Sequence, residues 1–182
     1  MKFTELCDYF ERLEATQSRN EMINILAELF QRADVGDIDD IAYFLAGRIT
    51  AGYKDVQLGM GDELMKSSLA IALEVEESSI QDKLRDIGDL GDVAAQFHKE
   101  RTKKFQDVFS IEELTVERVR EGLMQIATKS GSGSQEIMKK TMASLLALAD
   151  EKSKRYIIRL ALGQMRLGVG DMTILDGLAK AF

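Results

Sequence analysis

The sequence predicts an all-α fold, a compact multi-helix domain with an internal pseudo-twofold duplication. Proline is absent from the 182 residues. Apolar residues recur three and four positions apart almost throughout, which is the helical period. The alternation typical of strands is nowhere sustained. Since proline is absent, glycine must mark most of the loops. The chain is long enough to bury a core without disulfides, and its single cysteine, Cys7, can form no internal bridge.

Apolar stripes and capping residues predict four helices in the N-terminal part. The first is expected over residues 2–13. Ser18 followed by Glu21 is a capping-box pattern that opens a second helix. A third helix should end near Gly47, because glycine commonly follows the last helical turn. Asp62 is then placed to cap a fourth helix.

The middle of the chain is predicted to contain a short helix and a connector. Residues 79–84 have helical periodicity, and the glycines of residues 88–92 interrupt it. Residues 99–110 are highly charged and lack apolar periodicity, so we expect a mobile connector there. Thr115 or Ser110 then caps the next helix. The last three helices are expected over residues 135–149, 153–162 and 171–182.

Two parts of the chain repeat one pattern. Ala33 and Gly47 recur as Ala149 and Gly163, an offset of 116 residues in both cases. Each copy ends in Leu-Gly-x-Gly-Asp, at residues 58–62 and 167–171. The repeat halves extend over about residues 10–75 and 123–182. Such a domain offers two similar loops to a ligand with its own dyad, and duplex nucleic acid is the obvious candidate.

Charge and hydropathy restrict the partners and the compartment. The formal net charge is −7, whereas phosphate binding relies on lysine and arginine. Residues 1–122 hold 15 basic and 26 acidic side chains, but residues 123–182 hold 9 basic and 5 acidic ones. A surface that faces a polyanion should therefore draw mostly on the C-terminal third. No apolar run approaches the roughly 18 residues of a membrane span, so we expect a soluble, cytoplasmic protein.

Two glycine-containing segments are candidate phosphate sites. In residues 131–134, small residues ahead of a helix leave backbone amides open to an anion. The other interpretation is a surface loop with Ser134 as an ordinary N-cap. In residues 163–171, glycines allow close backbone approach, and Arg166 could reach a phosphate. The other interpretation is a helix stop at Gly163 with Arg166 solvated.

Patterns typical of catalysis are missing from the sequence. His98 is the only histidine and lies in a charged run, so no His/Cys metal cluster can be formed, and no Ser-His-Asp arrangement is visible. A Gly-x-x-x-x-Gly-Lys phosphate loop is also missing. A free-standing enzyme is therefore the least supported class.

Five motifs follow one another along nearly the whole chain: Ile41–Leu45 with Gly47-Arg48, Leu58-Gly59-Met60-Gly61, Gly88-Asp89-Leu90-Gly91, Leu114–Val119 and Arg159–Leu175. Together and in this order they resemble the N-terminal DNA-binding domain of ATP-dependent DNA ligases, with the archaeal enzymes as the nearest type. The segment Arg-Leu-Gly-Val-Gly-Asp-Met-Thr-Ile-Leu, residues 166–175, is the most specific part of the resemblance.

This resemblance implies a domain that grips nicked duplex DNA across the minor groove, in DNA replication and repair. Family members use backbone amides and a few basic side chains of glycine-containing loops to contact phosphates, so binding is expected to be independent of sequence. Three sets of positions match. The first is Gly163, Gln164, Met165, Arg166 and Gly168; the second is Gly131, Ser132 and Ser134; the repeat-related third is Gly47, Arg48, Gly59 and Gly61.

The resemblance also implies that the catalytic adenylation domain is absent from this chain. Ligases of this family transfer AMP through the lysine of a Lys-x-Asp-Gly-x-Arg motif. The only Asp-Gly pair here, Asp176-Gly177, has Ile174 at the lysine position. The chain stops at Phe182, about where that domain should begin. We therefore expect ATP and Mg²⁺ to bind in a C-terminal catalytic core, and this chain alone to be inactive.

The resemblance and the composition imply two further partners. Relatives dock onto the sliding clamp, and Gln106–Phe109 lies in the matching place but lacks the paired aromatics, so a weak contact at most is expected. The C-terminal ligase domains are the other expected partner. The alternative function is a helical protein-interaction scaffold without nucleic-acid binding, which the acidic N-terminal two-thirds would suit.

Overall fold

The computed structural model of the protein describes residues 1–54, 56, 58–104 and 114–182, without the side chains of residues 101–104. These residues form ten α-helices and no strand, which confirms the all-α prediction. One isolated backbone bridge joins Lys2 to Thr115. The helices are α1 (Phe3–Glu14), α2 (Arg19–Arg32), α3 (Ile38–Leu45), α4 (Asp62–Leu73), α5 (Glu77–Ile87), α6 (Leu90–Lys104), α7 (Val116–Ala127), α8 (Ser134–Leu148), α9 (Glu151–Ala161) and α10 (Asp171–Ala181).

Two of the predicted helix caps are confirmed and two are wrong. Ser18 accepts a hydrogen bond from the amide of Glu21 at 3.4 Å, and Thr115 accepts one from the Arg118 amide at 3.1 Å. Asp62 and Ser134, by contrast, are the first residues of α4 and α8. The preceding residue in each case is a glycine at the N-cap position, so the helix begins one residue earlier than the polar side chain suggested.

The predicted connector begins inside a helix. α6 continues to Lys104, so residues 99–104 are helical although they lack apolar periodicity. Ion pairs connect this end of α6 to the neighbouring helices: Lys99 Nζ lies 2.8 Å from Glu151 Oε1, and Lys83 Nζ lies 2.6 Å from Glu100 Oε1. The rest of the predicted connector, the candidate cap Ser110 and the candidate clamp segment lie outside the described residues.

Large aromatic side chains occupy the centre of the core. Phe3 and Phe44 meet edge to face with ring centroids 6.2 Å apart, and Phe10 lies 5.0 Å from Tyr156 by the same measure. All four are fully buried. α1 carries two of them and contacts α2, α7 and α9, so it joins the two halves of the chain.

Helices of the two predicted repeat halves pack against each other reciprocally. α2 packs against α10, and α4 packs against α8. The α2–α10 approach is close at Gly177, where a Cβ atom would lie 2.5 Å from Leu26 Cβ. In the predicted duplication α2 corresponds to α8, and α4 corresponds to α10. A pseudo-twofold axis would therefore relate the α2–α10 pair to the α4–α8 pair. The duplication itself stays a prediction.

Candidate nucleic-acid interface

The two predicted glycine turns have the same local geometry. Gly47 and Gly163 come after α3 and α9 with φ of 69° and 66°, which is the left-handed region that glycine adopts without strain. The next residue in each turn donates its amide to the carbonyl five residues earlier, at 2.9 Å for Arg48 and 2.7 Å for Gln164. Each helix therefore ends in a Schellman motif, as one interpretation of Gly163 required.

These turns meet at one cleft. A Cβ atom on Gly47 would lie 3.8 Å from Met165 Cβ, so the two turns are in near contact. The cleft between them has a volume of about 310 Å³. Its lining is mostly glycine and small or apolar residues: Leu45, Ala46, Gly47, Gly163, Met165, Leu167, Gly168, Val169 and Gly170.

An exposed arginine belongs to each turn. The Arg48 side chain is 49% exposed and its Nη2 lies 3.3 Å from Asp171 Oδ2. The Arg166 side chain is 63% exposed and its Nη1 lies 3.7 Å from Asp89 Oδ2. The Arg48 pair is exposed on both sides, with Asp171 at 66%, and such a pair contributes about 0–1 kcal/mol, so Arg48 can exchange its carboxylate for another anion at little cost. The carboxylate beside Arg166 is buried, with Asp89 5% exposed, but it also pairs with Arg159 at 3.2 Å and so keeps a cationic partner when Arg166 contacts another anion.

Glycine precedes the three helices that start in the predicted contact segments. Gly61, Gly133 and Gly170 stand at the N-caps of α4, α8 and α10, and no side chain caps these helices. A Cβ atom on any of the three would meet nothing within 4 Å. The space beside each N-cap is therefore open, and the helix dipole adds partial positive charge there.

The remaining predicted residues lie at the starts of α4 and α8 and do not line the cleft. A Cβ atom on Gly59 would lie 3.7 Å from Met138 Cε of α8. Gly131 and Ser132 are exposed, and Ser134 is half-buried as the first residue of α8. α4 and α8 also flank a groove lined by Glu63, Leu64, Ser67, Glu77, Gln135, Glu136 and Lys139. The predicted residues thus divide between two places.

A buried ion cluster holds the helix that leads into the second turn. Arg159 of α9 is 9% exposed and Asp89 is 5% exposed, with Nε 3.2 Å from Oδ2. Nη2 of Arg159 lies 3.0 Å from Asp92, and Nη1 lies 2.9 Å from Glu14. Burial disfavours the charge, but the three carboxylates outweigh it and raise the pKa of Arg159. The cluster fixes α9 beside the N-terminus of α6.

The close approach of α6 and α9 also explains a glycine in the Gly88–Asp92 segment. A Cβ atom on Gly91 would lie 2.7 Å from the carbonyl oxygen of Arg155. Only glycine allows the two backbones this separation without displacement.

A family-level match covers nearly the whole chain. The family model described as DNA ligase N terminus matches residues 2–179. The chain belongs to this family. The resemblance to the N-terminal domain of ATP-dependent DNA ligases is thereby confirmed.

Curated relatives of this ligase domain carry the same family name. The chain is 37% identical over 181 residues to a probable DNA ligase of Dictyoglomus thermophilum, and 36% identical over 189 residues to a DNA ligase of Sulfolobus acidocaldarius. It is 38% identical over 193 residues to a DNA ligase of Staphylothermus marinus. All of this chain is covered in each case, but only 30–32% of the relative.

The described part of the ligase domain has neither a metal cluster nor a membrane span. Three or more histidine, cysteine, aspartate or glutamate side chains nowhere come together there as metal ligands. None of the helices in the described ranges combines the length and apolar character that a bilayer crossing requires.

Sequence reasoning missed the Asp89–Arg159 pair, which positions the second turn. The two residues are 70 positions apart, and no local pattern links them. A signal did exist in α9. Arg159 interrupts a run of buried residues formed by Tyr156, Ile157, Ile158 and Leu160, and a charge in such a place requires a partner.

Proposed function

We propose that this ligase N-terminal domain binds nicked double-stranded DNA through phosphate and minor-groove contacts, independently of sequence. In this proposal it positions the nick for strand joining by the catalytic domains of a longer ligase. One observation carries the proposal: the Gly47 and Gly163 turns line a single cleft and each has an exposed arginine beside it. Family membership supports the same conclusion.

The arrangement suits a partner with a phosphate backbone more than one with a defined base sequence. Glycines at the cleft allow the backbone to approach closely, and the N-terminus of α10 begins beside it at Gly170. Amides and a helix dipole attract phosphate without a large positive charge. This accounts for a polyanion partner despite the net charge of −7. Phosphate contacts carry no sequence information directly.

Adenylyl transfer is assigned to the catalytic domains, with ATP and Mg²⁺ bound there. Ile174 stands at the position where the motif lysine would precede Asp176-Gly177, and it is 5% exposed. We expect no labelled product when this chain is incubated with Mg²⁺ and ATP labelled in the adenylate group. A stable protein–AMP adduct would contradict the assignment.

DNA binding is tested by fluorescence anisotropy with a nicked duplex and a continuous duplex of identical sequence. The domain should bind the nicked duplex, and affinity should fall steeply with salt because phosphate contacts release counterions. Arg166→Ala should weaken binding equally for duplexes of different sequence. Arg85→Ala is the matched control, because its side chain is 70% exposed and does not line the cleft. A protein-interaction scaffold would bind neither duplex.

A contact with the sliding clamp through Gln106–Phe109 stays a prediction. Pull-down with a purified clamp, comparing the chain with a Phe109→Ala variant, tests it.

A further inference from the structure

The two turns of the interface lead into connections of different length. Residues 164–170 join Gly163 directly to α10, whereas residues 48–61 separate Gly47 from α4. The longer connection contains a 3-10 turn at Gly52–Lys54. The amide of Lys54 closes it by donating to the carbonyl of Ala51 at 3.0 Å. The first turn therefore carries side chains that have no counterpart in the second.

This 3-10 turn lies next to Arg48 at Gly52 and carries an exposed aromatic and an exposed cationic side chain. Tyr53 is 86% exposed, and Lys54 is also exposed. A Cβ atom on Gly52 would lie 3.4 Å from Arg48 Nη1, so the backbone of the turn lies against that guanidinium. An aromatic ring held this far out of the core contributes little to folding, because it buries almost no surface.

We propose that Tyr53 and Lys54 form an additional DNA contact on the Arg48 side of the interface, with the Tyr53 ring packing on a deoxyribose or base and Lys54 pairing with a phosphate. The inference rests on the proposed function and adds two residues to its site. Aromatic faces beside cations hold single-stranded nucleic acid without reading its sequence, and we extend the same combination to the strand ends and sugar edges of a nicked duplex. Tyrosine suits this position because its ring is apolar and its hydroxyl tolerates water.

The two side chains should have distinguishable effects on binding. Tyr53→Ala should weaken binding of the nicked duplex roughly tenfold at every salt concentration, since stacking contributes independently of counterions. Tyr53→Phe should retain wild-type affinity. Lys54→Ala should weaken binding and reduce the slope of log K against log salt by about 0.9, the value for one phosphate contact.

Val35→Ala is the matched control for Tyr53→Ala. Val35 is 87% exposed and belongs to another 3-10 turn, Val35–Asp37. All these side chains are exposed, so thermal unfolding should confirm that the variants are folded. The inference is overturned if the wild-type chain binds DNA and Tyr53→Ala binds as tightly as Val35→Ala. It is also overturned if Tyr53→Ala changes the salt slope as a lost ionic contact would. Failure of the wild-type chain to bind either duplex would instead overturn the proposed function.

Discussion

Asp89→Asn should destabilise the domain strongly, because it removes a charge from the buried cluster around Arg159. The two side chains are 5% and 9% exposed, and breaking a pair buried to this degree costs about 3–5 kcal/mol. Arg159 keeps Asp92 and Glu14 at 3.0 and 2.9 Å. The remaining partners compensate part of the loss. We therefore expect the lower end of the range, about 3 kcal/mol.

Chemical and thermal unfolding measure this effect. For a chain of this size each kcal/mol shifts Tm by about 2–4 °C, so Asp89→Asn should lower Tm by about 6–12 °C. Asp82→Asn is the control, because Asp82 pairs with Arg85 through side chains that are 72% and 70% exposed. That exposed pair should change stability by less than about 1 kcal/mol. Equal shifts for the two variants would refute the reasoning.

The same substitution should affect DNA binding through the second turn. The backbone carbonyl of Arg159 accepts the Gln164 amide at 2.7 Å, and Asp89 lies 3.7 Å from Arg166. Asp89→Asn should lower affinity for nicked duplex below the unfolding temperature. The loss should be much smaller when Arg166 is already alanine. An equal loss in both backgrounds would show that Asp89 does not act through Arg166.

Three further substitutions test the turns, the core and one helix cap by urea unfolding. Gly163→Ala should lower the free energy of unfolding by about 1 kcal/mol, because φ is 66° at this position. Gly170→Ala, at φ −96° and in open space, should leave it nearly unchanged. Equal effects of the two substitutions would contradict the argument from backbone strain. Gly177→Ala should lower the free energy of unfolding by about 1–3 kcal/mol, because the new Cβ would overlap Leu26. An unchanged urea midpoint would exclude this contact. Burial opposes the charge of Asp150, but its hydrogen bonds at the start of α9 outweigh burial and lower its pKa. The stabilisation from ionised Asp150 is present above about pH 3.9, the pKa of an unfolded aspartate, and is lost as pH falls through its lower pKa in the folded chain. Asp150→Asn should therefore reduce the fall in the free energy of unfolding at acid pH, and an unchanged fall would argue against this role.

Local sequence patterns predicted the positions of the helices well, but they missed one helical extension and two N-caps. Apolar periodicity was sufficient for α1 and α2, whose stripes are buried in the core. The helical continuation of α6 past residue 99 was missed because apolar periodicity ends there, and the ion pairs that connect it to other helices have no local pattern. The predicted N-caps Asp62 and Ser134 were wrong because the preceding glycine occupies the N-cap position in each helix.

The candidate site was partly accessible from the sequence. The repeated glycine pattern predicted two similar turns, and their matching φ values and hydrogen bonds agree with that prediction. Their meeting at one cleft depends on tertiary contacts that no local pattern encodes. Tyr53 was overlooked because an isolated aromatic in a loop gives no periodic signal, and only its exposure beside Arg48 makes it a candidate.

The salt dependence of DNA binding tests most directly whether the two turns act together on one duplex. The double variant Arg48→Ala/Arg166→Ala should be compared with Arg85→Ala/Arg118→Ala, whose native side chains are 70% and 59% exposed. Loss of two phosphate contacts should reduce the slope of log K against log salt by about 1.8 for the first variant. The second variant should keep the wild-type slope. Equal slopes for both double variants would contradict the account.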